Sequence, residues 1–298
     1  MFNKILIPFD GFGLADGVLQ FIPQLARGFG SSVILLWVMT QKGTRSQGTM
    51  AMVELEDAAR QLSKELGEEV VPMVSMGSTA PSIIRIATEE GCDLIAMATH
   101  GRRGIGRGLL GSIADEVVRY STIPTMVFAP KKADKEWSEG VEFERIIVPL
   151  DGSIDAETVL PYVEDMALKL DVEIILVRVN NDEAIYSIGW AGIPIFPDDP
   201  NIKIRDETYL EAVTKMLREK GLRARWEWLE GSPPYQTAEF ARKTEHNMVA
   251  LATRGHSGIA RWIEGSVSER AILDSGDPVL IIPPLEEPEK EPAETQNV

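Results

Sequence analysis

The amino-acid sequence contains one pattern twice. Residues 5–11 (ILIPFDG) return 141 positions later as residues 146–152 (IIVPLDG). Further along, the pairs at residues 77–78 and 111–112 (both GS) return after 154 positions as residues 231–232 and 265–266. The second copy therefore carries a net insertion of 13 residues between its first and third strands. A repeat of this length predicts two similar domains, each with its own core.

Within each copy, apolar and β-branched runs alternate with segments of helical periodicity. We predict strands at residues 4–9, 32–38, 70–76, 94–98 and 125–129, and again at 145–150, 173–179, 223–229, 248–252 and 279–282. We predict helices at residues 14–27, 50–66, 80–90 and 113–120, and again at 158–170, 206–220, 234–244 and 267–274. Strands that are apolar throughout and alternate with helices form parallel sheets covered on both faces. The sequence thus predicts an α/β protein of two tandem, doubly wound, Rossmann-like domains.

Charge and proline content suggest the boundaries of these domains. We expect the first domain at residues 1–132, a charged linker at 133–142 and the second domain at 143–284. Residues 285–298 form an acidic, proline-containing tail of the kind that stays disordered. The insertion at residues 180–205 is either a functional lid or an apolar loop packed on its own domain.

Overall composition excludes several classes of partner. A net charge of −16 disfavours nonspecific binding to nucleic acid or to an anionic membrane surface. No apolar run approaches the roughly 20 residues that span a bilayer, and the N-terminus resembles no signal peptide. The single cysteine, Cys92, cannot form an internal disulfide, so we expect a cytoplasmic protein.

The candidate ligand-binding residues follow the first and fourth strands of each copy. In an open α/β sheet, ligands bind beyond the carboxyl ends of the strands where the strand order reverses. Asp10-Gly11 follows the first strand, and a glycine-bearing loop ending at Gly111-Ser112 joins the fourth strand to a helix. A carboxylate can accept hydrogen bonds from ribose or base, and helix N-terminal amides favour phosphate. The alternative is that each aspartate or serine only caps the helix that follows it.

Other catalytic motifs are absent from the sequence. There is no Walker A loop, no H-E-x-x-H and no G-x-S-x-G. The three histidines do not pair with the cysteine at metal-ligand spacing. Gly11-Phe12-Gly13 fails as a dinucleotide fingerprint because Asp16 stands where the third glycine belongs. We find no nucleophile with a base beside it and expect no catalytic residue.

Taken together, these motifs resemble those of the universal stress protein family in its tandem two-domain form. The family motif is G-x-x-G, nine residues, then G-[ST]. Gly101 with Gly111-Ser112, and the matching residues of the second copy, fit its last two elements, whereas Ala98 and Ala252 replace the first glycine. The resemblance spans about residues 1–130 and 142–284.

What the resemblance implies is a five-stranded parallel sheet of order 3-2-1-4-5 in each domain and the binding of ATP or AMP, with or without Mg²⁺. It implies pairing of the two domains through their fifth strands, leaves a homodimer open, and suggests a regulatory role in stress with at most slow ATP hydrolysis. It also adds the backbones of Val38 and Val179, which would face the adenine. The expected nucleotide-binding residues are Asp10, Gly11, Val38, Ala98, Thr99, Gly101, Gly111 and Ser112 in the first copy and Asp151, Gly152, Ser153, Val179, Ala252, Thr253, Gly255, Gly265 and Ser266 in the second.

Two alternatives remain open from the sequence. A protein that has lost nucleotide affinity could serve as a structural or partner-binding module, which the alanines at 98 and 252 favour. An ATP-dependent enzyme of related fold, such as an ATP pyrophosphatase, would need an S-G-G-x-D-S loop after the first strand, and the sequence lacks one.

Overall fold

The structure, a computed structural model, describes residues 1–9, 15–39, 45–98, 111–128, 142–180, 201–252 and 275–283. Its elements in the first half are β1 (Lys4–Pro8), α1 (Ala15–Phe29), β2 (Ser32–Met39), α2 (Arg45–Leu66), β3 (Val70–Met76), α3 (Thr79–Glu89), β4 (Leu94–Ala98), α4 (Ser112–Tyr120) and β5 (Thr125–Phe128). Those in the second half are β6 (Arg145–Pro149), α5 (Ile154–Glu157), α6 (Leu160–Leu170), β7 (Glu173–Asn180), α7 (Ile202–Glu219), β8 (Ala224–Glu230), α8 (Pro233–Lys243), β9 (Asn247–Ala252) and β10 (Val279–Ile282).

The ten strands form one sheet, in the order β3-β2-β1-β4-β5-β10-β9-β6-β7-β8. Each half keeps the predicted order 3-2-1-4-5, with all its pairings parallel. Between the halves β5 and β10 pair antiparallel, which joins the two five-stranded arrangements into one continuous sheet. Pairing removes the edge that each apolar fifth strand would otherwise expose.

Helices cover both faces of this sheet. On one face α1, α2, α6 and α7 bury a core that runs through both halves, and on the other face α3, α4 and α8 bury a second core. Successive strand residues alternate between the two, so Ile5 and Ile7 belong to the first core and Leu6 to the second. This alternation within continuous apolar strands confirms the predicted α/β class.

Equivalent residues make equivalent contacts where the halves meet. Phe143, which lies 141 positions after Phe2, stacks on Phe21 with ring centroids 4.7 Å apart. Phe2 in turn lies 6.0 Å from the ring of Tyr162, the counterpart of Phe21. Both pairs bridge the halves, so the two copies bury aromatic side chains against each other in a reciprocal manner.

The polar contacts at this boundary repeat as well. Gln24 donates to the carbonyl oxygen of Phe143 at 3.0 Å and accepts from its N–H at 2.7 Å. Asp165, 141 positions after Gln24, pairs with the Met1 ammonium group at 2.6 Å. Between these contacts α1 and α6 approach closely, since a Cβ on Gly28 would overlap Cδ2 of Leu170.

Two helices of the second half differ from the sequence prediction. The helix expected at residues 158–170 is present as α6, which begins at Leu160 and has Pro161 in its first turn, where the missing N–H costs little. The sequence prediction lacked the short helix α5 that precedes it, which is capped by Ser153. The helix expected from Asp206 begins four residues earlier, at Ile202, and so includes the end of the predicted insertion. The predicted helix at 267–274, most of the linker and insertion, and the tail lie outside the described residues.

Candidate functional site

Both candidate sites lie where the strand order of their half reverses. In the first half β1 lies between β2 and β4, with Leu6 paired to Ile95. In the second half β6 lies between β7 and β9, with Ile147 paired to Val249. The carboxyl ends of these strands therefore share one edge of the sheet. Val38 and Ala98 lie at that edge in the first half, and Val179 and Ala252 lie there in the second.

Of the first glycine loop, the structure describes only the end, where Gly111 leads into α4. Gly111 precedes the helix with an extended backbone (φ −63°, ψ 152°), and no side chain caps the helix. The first helical hydrogen bond runs from the N–H of Asp115 to the carbonyl oxygen of Gly111 at 2.9 Å. The amides of Ser112, Ile113 and Ala114 thus have no partner within the helix, as at any helix start. The Ser112 side chain is exposed beside them.

A small hydrogen-bonded turn shapes the second site. Oδ1 of Asp151 accepts from the N–H of Ser153 at 2.9 Å and also from its hydroxyl. The same hydroxyl accepts from the N–H of Ala156 at 3.1 Å, so Ser153 is the N-cap of α5. Ser153 is only 4% exposed, which leaves its hydroxyl committed to the cap. Gly152 at the tip of the turn is exposed and has a φ of +77°, a backbone that glycine adopts readily.

Behind this turn lies a buried ion pair that the sequence prediction missed. Nη2 of Arg178 lies 3.2 Å from Oδ1 of Asp206, whose side chain is 5% exposed. Trp228 faces Arg178 across the strand pair, and its indole N–H donates to the other Asp206 oxygen at 3.4 Å. The sequence signal was an arginine among the apolar residues near the end of β7, but its partner lies 28 positions away and on a helix.

The guanidinium group also contacts the turn itself. Nη1 of Arg178 lies 3.5 Å from the carbonyl oxygen of Leu150 and 3.5 Å from the position that a Cβ on Gly152 would occupy. Its Nε is buried and has no hydrogen-bond partner among the described residues. The arginine therefore links the start of α7 to the turn that carries Asp151.

A tyrosine beside the pair completes the cluster. The hydroxyl of Tyr209 donates to Oε1 of Glu157 at 2.7 Å. Burial, this hydrogen bond and the charge of Glu157 raise the pKa of Tyr209 far above its usual value, while Arg178 acts in the opposite direction. Tyr209 remains a neutral hydrogen-bond donor throughout the physiological pH range.

The first copy is built differently at the equivalent positions. Phe9 and Trp37 stand where the second copy has Leu150 and Arg178. Their rings pack edge to face with centroids 5.8 Å apart. The N–H of Phe9 still bonds to the strand β2 carbonyl of Leu36 at 2.8 Å, as the N–H of Leu150 bonds to that of Val177 at 2.9 Å. The same backbone frame is thus supported by an aromatic pair in one half and an ion pair in the other.

The structure describes nine of the predicted site residues and places them at the two strand-end edges. These are Val38, Ala98, Gly111, Ser112, Asp151, Gly152, Ser153, Val179 and Ala252. The others lie outside the described residues and stay predictions: Asp10, Gly11, Thr99, Gly101, Thr253, Gly255, Gly265 and Ser266. The described part of the chain holds no cluster of metal-ligating side chains and no helix long and apolar enough to cross a membrane.

Comparison with known proteins then decides the family. The sequence model of the universal stress protein family matches residues 1–129 and again residues 142–283. The chain belongs to the universal stress protein family. Because both copies match, it is a tandem member with two family repeats.

Individual relatives agree with this assignment. The chain is similar to universal stress protein MJ0531 of Methanocaldococcus jannaschii, at 28% identity over 149 residues that cover 50% of this chain and 85% of the relative. A universal stress protein of Mycolicibacterium smegmatis is 21% identical over 238 residues, covering 77% of this chain and 76% of its own. The crystal structure of a universal stress protein from Archaeoglobus fulgidus covers 95% of this chain and 96% of its own with a TM-score of 0.70, and at 18% identity it supports the fold.

Proposed function

We propose that this universal stress protein binds adenine nucleotide, ATP or AMP, in two pockets, one in each half. The observation that carries the proposal is the coincidence of two features. The topology reverses strand order at β1/β4 and at β6/β9, and the residues of the repeated loop pattern that are described lie at those two points. Ligands of open α/β sheets bind there.

Each part of the pocket has a proposed task. The amides at the start of α4 that have no partner within the helix, with the Ser112 hydroxyl, donate to phosphate oxygens, and the positive end of the helix dipole favours the negative charge. In the second half Asp151 faces the ribose or base, whose hydroxyl and N–H groups can donate to a carboxylate. Ser153 contributes indirectly, by orienting Asp151. The backbones of Val38 and Val179 line the adenine side.

The proposed role is regulatory rather than rapidly catalytic. As the family resemblance implies, hydrolysis of ATP would be slow at most. Mg²⁺ would enter with the triphosphate, because Mg²⁺ is usually held by phosphates and water more than by the protein.

We also propose that the halves act as an intrachain pseudo-dimer, with domains at 1–132 and 143–284. Antiparallel pairing of β5 with β10 supports this, and so do the reciprocal aromatic and polar contacts of α1 and α6. Independent tumbling of the two halves in solution NMR would contradict it.

One observation favours a second candidate function. Ala98 and Ala252 stand where the family motif begins with glycine, and each added methyl group narrows the approach of a ribose. The alternative is a stress protein that binds a partner and no nucleotide.

The test is ATP titration by calorimetry of Gly111→Val. Its backbone angles suit any residue, so the variant should fold, while the branched side chain should block phosphate at the first pocket. Ser78→Val is the matched control, because Ser78 precedes α3 with a similar extended backbone and no side-chain cap but lies away from the β1/β4 reversal. We expect one binding event to disappear in Gly111→Val alone. Undiminished ATP binding by this variant would refute the phosphate site.

A further inference from the structure

The two pockets are supported by different chemistry, and that difference has a functional consequence. In the first half an aromatic pair, Phe9 with Trp37, stands behind the strand end. In the second half the guanidinium of Arg178 stands there, buried except for 19% of its side chain. An arginine that far inside a protein requires a reason, because its charge loses hydration.

Two contacts give that reason. Asp206, in the second turn of α7, holds Nη2. Nη1 lies 3.5 Å from the carbonyl oxygen of Leu150 and 3.5 Å from the position that a Cβ on Gly152 would occupy. The arginine thus fixes the distance between α7 and the turn after β6. The aspartate is itself oriented by the indole N–H of Trp228.

The turn so fixed is the one that carries Asp151. Its geometry depends on a chain of hydrogen bonds from the Ala156 amide to the Ser153 hydroxyl and from there to the Asp151 carboxylate. Gly152, in the middle, has a left-handed backbone and no side chain to restrain it. Nη1 of Arg178 lies 3.5 Å from the position that a Cβ on Gly152 would occupy, so the guanidinium group stands beside this part of the turn.

We propose that Arg178, held by Asp206, is a positioning residue of the second pocket: it fixes the turn at Leu150–Ser153 and so sets the orientation of Asp151 toward the ligand. This rests on the proposed nucleotide binding. The second pocket consequently depends on a buried ion pair, and the first does not. Different residues therefore set the geometry of the two pockets within one chain.

The test uses the double variant Arg178→Met/Asp206→Leu, which removes both charges and leaves neither one buried alone. Arg218→Met is the matched control. Arg218 lies on the same helix as Asp206 but at the opposite edge of the sheet, where its Nε donates to the carbonyl oxygen of Ala224 at 2.8 Å. Hydrogen–deuterium exchange of the ligand-free protein reads the turn through the amides of Ser153 and Ala156. We expect these two amides to exchange at least tenfold faster in the double variant and within twofold of wild type in the control.

Nucleotide affinity provides the second measurement. With the first pocket blocked by Gly111→Val, the double variant should bind ATP at least tenfold more weakly, whereas Arg218→Met should not change the affinity. Unchanged protection of Ser153 and Ala156, or unchanged affinity, would overturn the proposal. If the wild-type chain bound no ATP at all, the proposed function would fail, while the exchange measurement would still decide whether Arg178 holds the turn.

Discussion

Removing Arg178 while leaving Asp206 in place should destabilise the second half severely. Asp206 is 3% exposed, so Arg178→Met leaves a carboxylate buried without its counter-charge. Breaking a buried pair in this way costs about 3–5 kcal/mol. Methionine fills most of the volume of the arginine stem, so little of this cost comes from lost packing.

The opposite substitution should cost less. Arg178 keeps 19% of its side chain exposed and can turn toward water when its partner is lost. Asparagine at position 206 still offers an oxygen to the indole of Trp228, so Asp206→Asn should cost about 1–2 kcal/mol. The double variant Arg178→Met/Asp206→Leu should return to within about 1 kcal/mol of wild type, because buried pairs replaced by apolar residues are often neutral.

Urea unfolding followed by tryptophan fluorescence measures this series, since Trp226 and Trp228 lie on the strand beside α7. With a urea dependence of about 2 kcal/mol per molar, Arg178→Met should lower the midpoint by about 1.5–2.5 M. If Arg178→Met lowered the unfolding midpoint less than Asp206→Asn does, the reasoning would be refuted, because the buried carboxylate would then not need the charge of the arginine for its stability.

Three further predictions concern single side chains. Burial raises the pKa of Tyr209, so its neutral form stabilises the fold fully below pH 10, and this stabilisation is lost as the pH rises further. Tyr209→Phe should therefore leave the tyrosinate absorbance that develops near pH 10 unchanged. A smaller absorbance change there in the variant would contradict this. Burial raises the pKa of Cys92 to about 11, so a thiol reagent at pH 8 should label it slowly until urea unfolds the chain, and rapid labelling of the native protein would show the thiol to be accessible. Gly28→Ala should cost about 1–3 kcal/mol by overpacking, offset by up to about 1 kcal/mol of helix propensity; adding Leu170→Ala should relieve the clash, and additive effects in this double-mutant cycle would argue against close contact of α1 and α6.

Much of the fold could be predicted because the repeat and the alternation of strands and helices are written in local sequence. Residues 146–152 copy residues 5–11 closely enough to fix both the domain number and the first strands. The short helix α5 was missed because its four residues are too few to show helical periodicity, and the Ser153 cap that begins it acts at a single position.

The candidate site was predictable only in part. Its position at the strand ends follows from topology, which the alternation of elements determines. The Arg178–Asp206 pair was not predictable, since it joins a strand to a helix across the insertion and no spacing rule links the two positions. The use of the Ser153 hydroxyl in a cap was likewise hidden, because a serine after Asp-Gly suits a cap and a ligand equally well.

The most direct test of the central claim is native mass spectrometry of the intact chain titrated with ATP. The account predicts species carrying one and then two adenine nucleotides per chain, with the two-nucleotide species lost in both Gly111→Val and Asp151→Ala. A chain that stays free of nucleotide at millimolar ATP would contradict it.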